Sequence, residues 1–127
     1  MQQISDYELE LMKVIWSNND SALYAEIVAA LSAKGMHWTK NTIITLLSRL
    51  IDKGLLKTNK IGHRNRYTAV VSATAYQSSQ TETFLDKIYE GSARDLVATL
   101  IRKDLLSPSD YEDLKKYWQS LTHDAEG

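Results

Sequence analysis

The side chains best suited to chemistry lie in one short stretch of the sequence, between Trp38 and Gly54. Its polar residues are mostly small, uncharged hydrogen-bonding groups: Thr39, Asn41, Thr42, Thr45 and Ser48. Amides and hydroxyls of this kind can hydrogen-bond to base edges and phosphate oxygens, whereas an ordinary solvated helix more often pairs Glu with Lys four residues apart. The stretch therefore predicts that these side chains recognise a ligand through hydrogen bonds.

The same stretch has the periodicity of an amphipathic helix. Apolar residues recur at spacings of three and four, which places them on one stripe: Ile43, Leu46, Leu47, Leu50 and Ile51. Thr39 has the side chain of an N-cap, and Gly54 is expected to end the last turn. We predict a helix whose stripe faces a core and whose uncharged face can enter a groove.

The charges are segregated along the chain, although the net charge of the 127 residues is only -1. Residues 1–71 carry nine Lys and Arg against six Asp and Glu, giving +3, and residues 72–127 carry six against ten, giving -4. Residues 39–67 carry seven cations against Asp52 alone, giving +6. This asymmetry favours a polyanion-binding surface; the alternative is that these cations only solvate the protein.

Several classes of protein are excluded by composition. The chain has no Cys, and its three His residues lie beside no acidic cluster at ligand spacing, so no metal site and no cofactor are expected. No Gly-rich phosphate loop or Ser/His/acid set indicates an enzyme, so no catalytic residue is assigned. No signal peptide or apolar run of about 18 residues is present, which predicts a cytoplasmic protein without a membrane span.

Two helices are predicted before the central one. The first begins with a capping box formed by Ser5 and Glu8, and it continues through an apolar side before the chain breaks at residues 17–20. The second is expected from near Leu23 to Lys34, with Gly35 after its end.

A β-hairpin is predicted after the central helix. Two β-like runs, residues 55–61 and 64–70, flank Gly62-His63, a dipeptide compatible with a type II′ turn. Lys60, His63, Arg64 and Arg66 lie near its tip, and His63 is expected to be only a turn residue. Three helices followed by a basic hairpin predict a winged helix-turn-helix domain over residues 1–71.

Residues 72–127 predict three further helices, each short, amphipathic and acidic on its outer side. So few residues bury little surface alone, and they are therefore expected to form a helical dimerisation domain with a second copy of the chain. The alternative is that they pack onto the first domain. The residues assigned to the dimer are Phe84, Ile88, Leu96, Leu100, Leu114 and Trp118. The predicted fold class is thus mainly α with a small β-hairpin.

Motifs along nearly the whole chain resemble the penicillinase-repressor family, the BlaI/MecI/CopY group of bacterial winged-helix repressors. The matching segments are residues 8–16, Trp38, Thr42-Ile43, residues 45–50, Lys53-Gly54, Tyr67 and residues 84–91. The resemblance implies a homodimeric repressor that binds a palindromic operator, of a β-lactamase or another resistance gene, and whose C-terminal helices make the dimer.

The resemblance also implies a protease as a partner for induction, because repressors of the antibiotic-resistance branch are cut at an Asn-Phe bond. This chain departs from the family pattern at two points, which limits what the resemblance implies about induction. The corresponding segment here, residues 96–101, lacks that pair, and the chain lacks the Cys-x-Cys motifs of the copper-sensing branch.

The sequence assigns double-stranded DNA as the ligand of the central helix and the hairpin. Asn41 and Thr45 are expected to reach base edges, and Thr39 or Thr42 to donate to phosphate. Ile44 is expected either to touch a thymine methyl or to be partly buried. The phosphate-neutralising cations are Lys40, Arg49, Lys60, Arg64 and Arg66. The alternative function is a winged-helix module that binds another protein and no DNA.

Overall fold

Six helices and a three-stranded antiparallel sheet form the protein in a computed structural model, which describes residues 3–126 and their side chains as far as residue 122. The elements are α1 (Asp6–Ser17), β1 (Ser21–Leu23), α2 (Tyr24–Ala33), α3 (Lys40–Asp52), β2 (Leu56–Ile61), β3 (Arg64–Ala69), α4 (Ala73–Tyr89), α5 (Ala93–Arg102) and α6 (Pro108–Glu126). This order confirms the predicted fold class and adds one strand, β1.

The start of α1 confirms the predicted capping box. The backbone N–H of Glu8 donates to Ser5 Oγ at 3.2 Å, and the N–H of Ser5 donates to Glu8 Oε1 at 3.1 Å. Leu11, Met12 and Ile15 are fully buried. The predicted apolar side of this helix therefore faces the core.

Strand β1 is the element that the sequence did not indicate. Its three residues pair with β3 through Ser21↔Thr68 and Ala22↔Tyr67, so the sheet has the order β1-β3-β2. Helix α2 consequently begins at Tyr24, and Leu23, which has no polar side chain, is its N-cap. Glu26 Oε1 accepts the N–H of Leu23 at 2.8 Å.

Helix α3 buries the predicted stripe. Ile43, Leu46, Leu47 and Leu50 are buried, and Ile51 is half-buried. They join side chains of α1, α2 and the sheet in one cluster, which includes Leu56 and Tyr67. The stripe therefore holds α3 in the core of the first unit by hydrophobic burial.

The hairpin turn has the predicted position and length. Ile61 pairs with Arg64, which leaves Gly62 and His63 as a two-residue loop. Gly62 has φ +64°, whereas His63 has no positive φ, and this combination is that of a type II′ turn.

The first compact unit extends beyond the predicted boundary between residues 71 and 72. The chain divides into Met1–Gln80 and Thr81–Gly127, so the division falls within α4. The reason is Tyr76, which is buried with its ring centroid 5.6 Å from that of Trp16. Trp16 Nε1 also donates to the carbonyl of Val71 at 2.9 Å. The first turns of α4 therefore belong to the core of the first unit.

The second unit keeps large apolar side chains exposed. Two of its helix starts are capped: Ser92 Oγ accepts from the N–H of Asp95, and Ser107 and Asp110 form a reciprocal pair of hydrogen bonds. Among the residues assigned to the dimer, Leu96 and Leu100 are half-buried. The other four are exposed by 47% to 74%: Phe84, Ile88, Leu114 and Trp118.

Glu8 is the only buried charged residue in the described part of the chain. Its Oε1 lies 3.0 Å from Lys53 Nζ, whereas its Oε2 is buried without a hydrogen-bond partner in that part. Burial alone would raise the pKa of Glu8, but the hydrogen bonds with Lys53 and Ser5 outweigh it and hold the pKa below its ordinary value. Burial raises the pKa of the neighbouring Tyr76, so that phenol stays neutral.

We expect the Glu8→Gln variant to lose a pH-dependent part of its stability. Because the pKa is lowered on folding, the ionised carboxylate stabilises the protein above the unfolded pKa of about 4.3, and this contribution disappears as the pH falls through the folded value. Urea unfolding should give the variant a free energy of unfolding about 1 to 3 kcal/mol below that of the unsubstituted protein at pH 7. The difference should shrink below pH ~4. A difference independent of pH would contradict the ionised state of Glu8.

Candidate nucleic-acid interface

The N-terminus of α3 is capped by Thr39. Thr39 Oγ accepts the N–H of Thr42 at 3.2 Å and donates to the Thr42 hydroxyl at 3.0 Å. The hydroxyl hydrogen of Thr39 is therefore already used, and that of Thr42 remains available to a ligand. Of the two predicted phosphate donors, the geometry favours Thr42, which is half-buried.

The outer face of α3 carries the side chains that the sequence assigns to base contacts. Asn41 and Thr45 are exposed, and so are Ser48 and Arg49. Since the buried stripe occupies the other side of the helix, this face points to solvent. An unpaired amide and hydroxyl on one exposed helix face can donate to and accept from a polar ligand at the same time.

A cleft brings α3 and the hairpin tip together. Lys40 and Ile44 of α3 line it with His63, Arg64 and Asn65 of the hairpin. No acidic residue in the described part of the chain lines the cleft, so its two cations, Lys40 and Arg64, favour an anionic ligand. Two of the predicted cations, Lys40 and Arg64, are thus combined in one place. His63 is a turn residue, as predicted, and it also borders this cleft.

The remaining side of the cleft comes from residues that the sequence did not single out. They are Leu23, Tyr24 and Ala25, at the start of α2. Because the N-cap is Leu23, the start of α2 lacks the Ser, Thr, Asp or Asn residue that would indicate a helix N-terminus in the sequence.

The cations of the hairpin do not form a single row. Paired residues of an antiparallel ladder share a face, and faces alternate along a strand. Lys60, opposite Asn65, therefore lies on the same face as the buried Tyr67, and Arg66, opposite Asn59, lies on the other face. Arg66 and Lys57 line a polar concavity with Ser21, Thr58, Asn59 and Thr68.

No group of three or more His, Cys, Asp or Glu residues in residues 3–126 is placed to hold a metal ion. Within the same residues, none of the helices combines the length and the apolar character that crossing a bilayer requires.

Comparison with known proteins gives one consistent result. A family model described as Penicillinase repressor matches residues 4–120. A penicillinase repressor of Bacillus licheniformis is 38% identical over 112 residues, which cover 88% of this chain and 86% of that protein. The methicillin resistance regulatory protein MecI of Staphylococcus aureus (strain N315) is 28% identical over 113 residues, covering 89% and 90%.

A solved structure is similar to the first unit. It is the solution structure of the Bacillus licheniformis BlaI monomeric form in complex with the blaP half-operator. The sequence identity is 44% and the TM-score 0.50, with 59% of this chain and 89% of that chain covered.

Substitutions at Asn41 and Arg49 should separate base contacts from phosphate contacts. We expect Asn41→Ala to weaken binding to a duplex selected by the protein from a random pool by about 1 to 3 kcal/mol, and to leave binding to a scrambled duplex unchanged. Arg49→Ala should weaken binding to both duplexes and lower the slope of log K against log salt by about one.

Fluorescence anisotropy over a range of salt concentrations measures both effects. Ser32→Ala, at an exposed polar position on α2, and Arg94→Ala, which removes the same charge from α5, are the controls. If the α3 variants bind both duplexes as their controls do, the assigned face is wrong.

Proposed function

The chain belongs to the penicillinase repressor family of DNA-binding transcriptional repressors, which are not enzymes, and we propose that it acts as a homodimer on a palindromic operator. The observation that carries the proposal is the exposed face of α3 with Asn41, Thr45 and Ser48, beside a cleft lined by Lys40 and Arg64. The similarity of this unit to BlaI bound to a half-operator supports it.

The proposed complex places the first turns of α3 in the major groove. Asn41 and Thr45 then contact base edges, and Thr42 and the helix N-terminus contact phosphate. Lys40, Arg49 and the hairpin tip neutralise the flanking backbone. Lys60 and Arg66 lie on opposite faces of the hairpin, so we propose that they contact phosphates on its two sides.

Two copies are proposed because the second unit exposes apolar surface and because the BlaI structure pairs a monomeric form with half of an operator. An operator of two halves has room for two copies, and dimeric readers of this class place two helices in successive major grooves. The second unit carries at least ten large apolar side chains exposed by more than 40%. Covering them by a second copy is favourable by the hydrophobic effect.

Repression then needs no covalent chemistry, because a bound dimer blocks access of the polymerase to the promoter. A protein with this role acts where the bacterial chromosome lies, so we place it in the cytoplasm. The regulated gene is proposed to be a β-lactamase or another resistance gene, in line with the names of the relatives. The predicted protease stays a prediction, and the sequence of α5 contains no Asn-Phe pair.

Selection from a random pool of duplexes tests the proposed function directly. The full chain should enrich a palindrome of two half-sites, with centres about 10 base pairs or a multiple of that apart. A fragment of residues 1–80, which keeps Tyr76 on Trp16, should enrich a single half-site with lower affinity. No enriched sequence with the full chain would contradict the proposal, and a palindrome enriched by the fragment would move the dimer interface into the first unit.

Substitution of Leu114, which is 52% exposed on α6, tests the proposed dimer. Leu114→Ala should raise the dimer dissociation constant by about tenfold or more, because a buried leucine at an interface is worth at least about 1.4 kcal/mol. Ile61→Ala, which removes an exposed side chain from the first unit, should leave it unchanged. Sedimentation equilibrium measures both. Equal constants for the two variants would exclude Leu114 from the interface.

A further inference from the structure

The first turn of α1 contacts both ends of α3. At the N-terminal end, the Tyr7 ring stacks on Trp38, with 4.8 Å between ring centroids and an angle of 29° between the planes. Trp38 directly precedes Thr39, the N-cap of α3. Tyr7 itself is 57% exposed, so this contact lies at the surface and contributes little to the core. The stacking therefore joins α1 to the point at which the chain enters α3.

At the other end, Glu8 holds Lys53, the C-cap of α3. The Glu8 carboxylate is buried, and its ion pair with Lys53 Nζ measures 3.0 Å. Lys53 Nζ also donates to the carbonyl of Gln3 at 3.4 Å. The Lys53 ammonium is therefore engaged within the protein, unlike the cations of the cleft.

The buried stripe of α3 does not by itself determine where this helix sits along and about its axis. Hydrophobic contacts are not directional, and a row of aliphatic side chains can repack after a small shift. Hydrogen bonds, such as the one between Lys53 and Glu8, and stacked rings depend on distance and angle. Contacts of this second kind, one at each end of the helix, restrict both its translation and its rotation.

We propose that Tyr7, Glu8 and Lys53 are positioning residues for DNA recognition. By holding the two ends of α3 on one turn of α1, they keep Asn41 and Thr45 in register with the base pairs of the operator. The inference rests on the proposed function. It predicts that loss of either end contact reduces the discrimination between operator and other DNA more than the general affinity for DNA, because phosphate contacts tolerate shifts that base contacts do not.

The competing explanation is that Lys53 releases Glu8 and contacts a phosphate directly. The two explanations differ in the quantity that changes. A lost phosphate contact weakens binding to every duplex and lowers the salt slope by about one. A displaced reading helix lowers the ratio of operator to random-duplex affinity and leaves the slope on the random duplex unchanged.

The chain offers a matched pair of charge-neutral double variants. Glu8→Met with Lys53→Met removes the ion pair between α1 and the C-cap of α3, together with the Glu8 hydrogen bond to Ser5 and the Lys53 hydrogen bond to Gln3, and fills the space with apolar side chains. Glu10→Met with Lys34→Met removes a longer and more exposed pair, of 3.7 Å, between α1 and the C-cap of α2, and also the pair of Glu10 with Lys13 at 3.5 Å. Neither changes the net charge, so long-range attraction to DNA is the same in both.

Tyr7 provides an independent test at the other end of α3. Tyr7→Ala removes the ring that stacks on Trp38, and Tyr7→Phe keeps it. Because Tyr7 is exposed, both variants should fold, which circular dichroism and thermal melts establish for all five proteins. Affinities are then measured by anisotropy on the duplex selected by the unsubstituted protein and on a scrambled duplex of the same length.

We expect the ratio of the affinity for the operator to the affinity for the scrambled duplex to fall about fivefold or more for the Glu8/Lys53 double variant and for Tyr7→Ala. A fall of this size corresponds to the loss of one good base contact. The ratio should stay within about twofold for the Glu10/Lys34 double variant and for Tyr7→Phe. An unchanged ratio with a lower salt slope for the Glu8/Lys53 variant, or an equal fall in both double variants, would overturn the proposal. If the unsubstituted protein selects no sequence at all, the proposed function fails first, and this inference fails with it.

Discussion

The two-sidedness of α3 is the constraint on which the rest of the molecule depends. One side of this helix must be buried to hold it, and the other must stay free to contact a ligand. Ile43, Leu46, Leu47 and Leu50 satisfy the first condition, and Asn41 and Thr45 satisfy the second. Helices α1 and α2 and the sheet complete one hydrophobic cluster with the stripe, and the hairpin tip borders the cleft beside the free side.

Much of this arrangement could be predicted from the sequence because its signals are local. The capping box of Ser5 and Glu8, the N-cap Thr39 and the turn at Gly62 each depend on residues within four positions of one another. The stripe of α3 shows the helical period over nine residues. Such signals determine where helices and turns begin and end.

The features that could not be predicted depend on residues far apart in the chain. The sequence indicates only a capping role for Glu8, because its partner Lys53 lies 45 positions away. Strand β1 is too short for any periodicity, and its partners in β3 lie more than 40 positions further on. Tyr76 belongs to an amphipathic helix that could equally be assigned to either unit, because its contact with Trp16 spans 60 positions of the chain. Lys60 and Arg66 could be assigned to opposite faces of the hairpin only from the pairing of β2 with β3, which the sequence of a basic hairpin tip does not reveal.

Strand β2 has a consequence for the behaviour of the protein in concentrated solution. It pairs with β3 on one side only, so its other edge presents free backbone donors and acceptors within the described sheet. Such an edge invites a strand of another molecule to add to it, which is a common route to aggregation. Lys57 and Lys60 stand exposed along this strand and repel the same edge of a second copy. The lysines of strand β2 thus also oppose assembly of the repressor through its sheet.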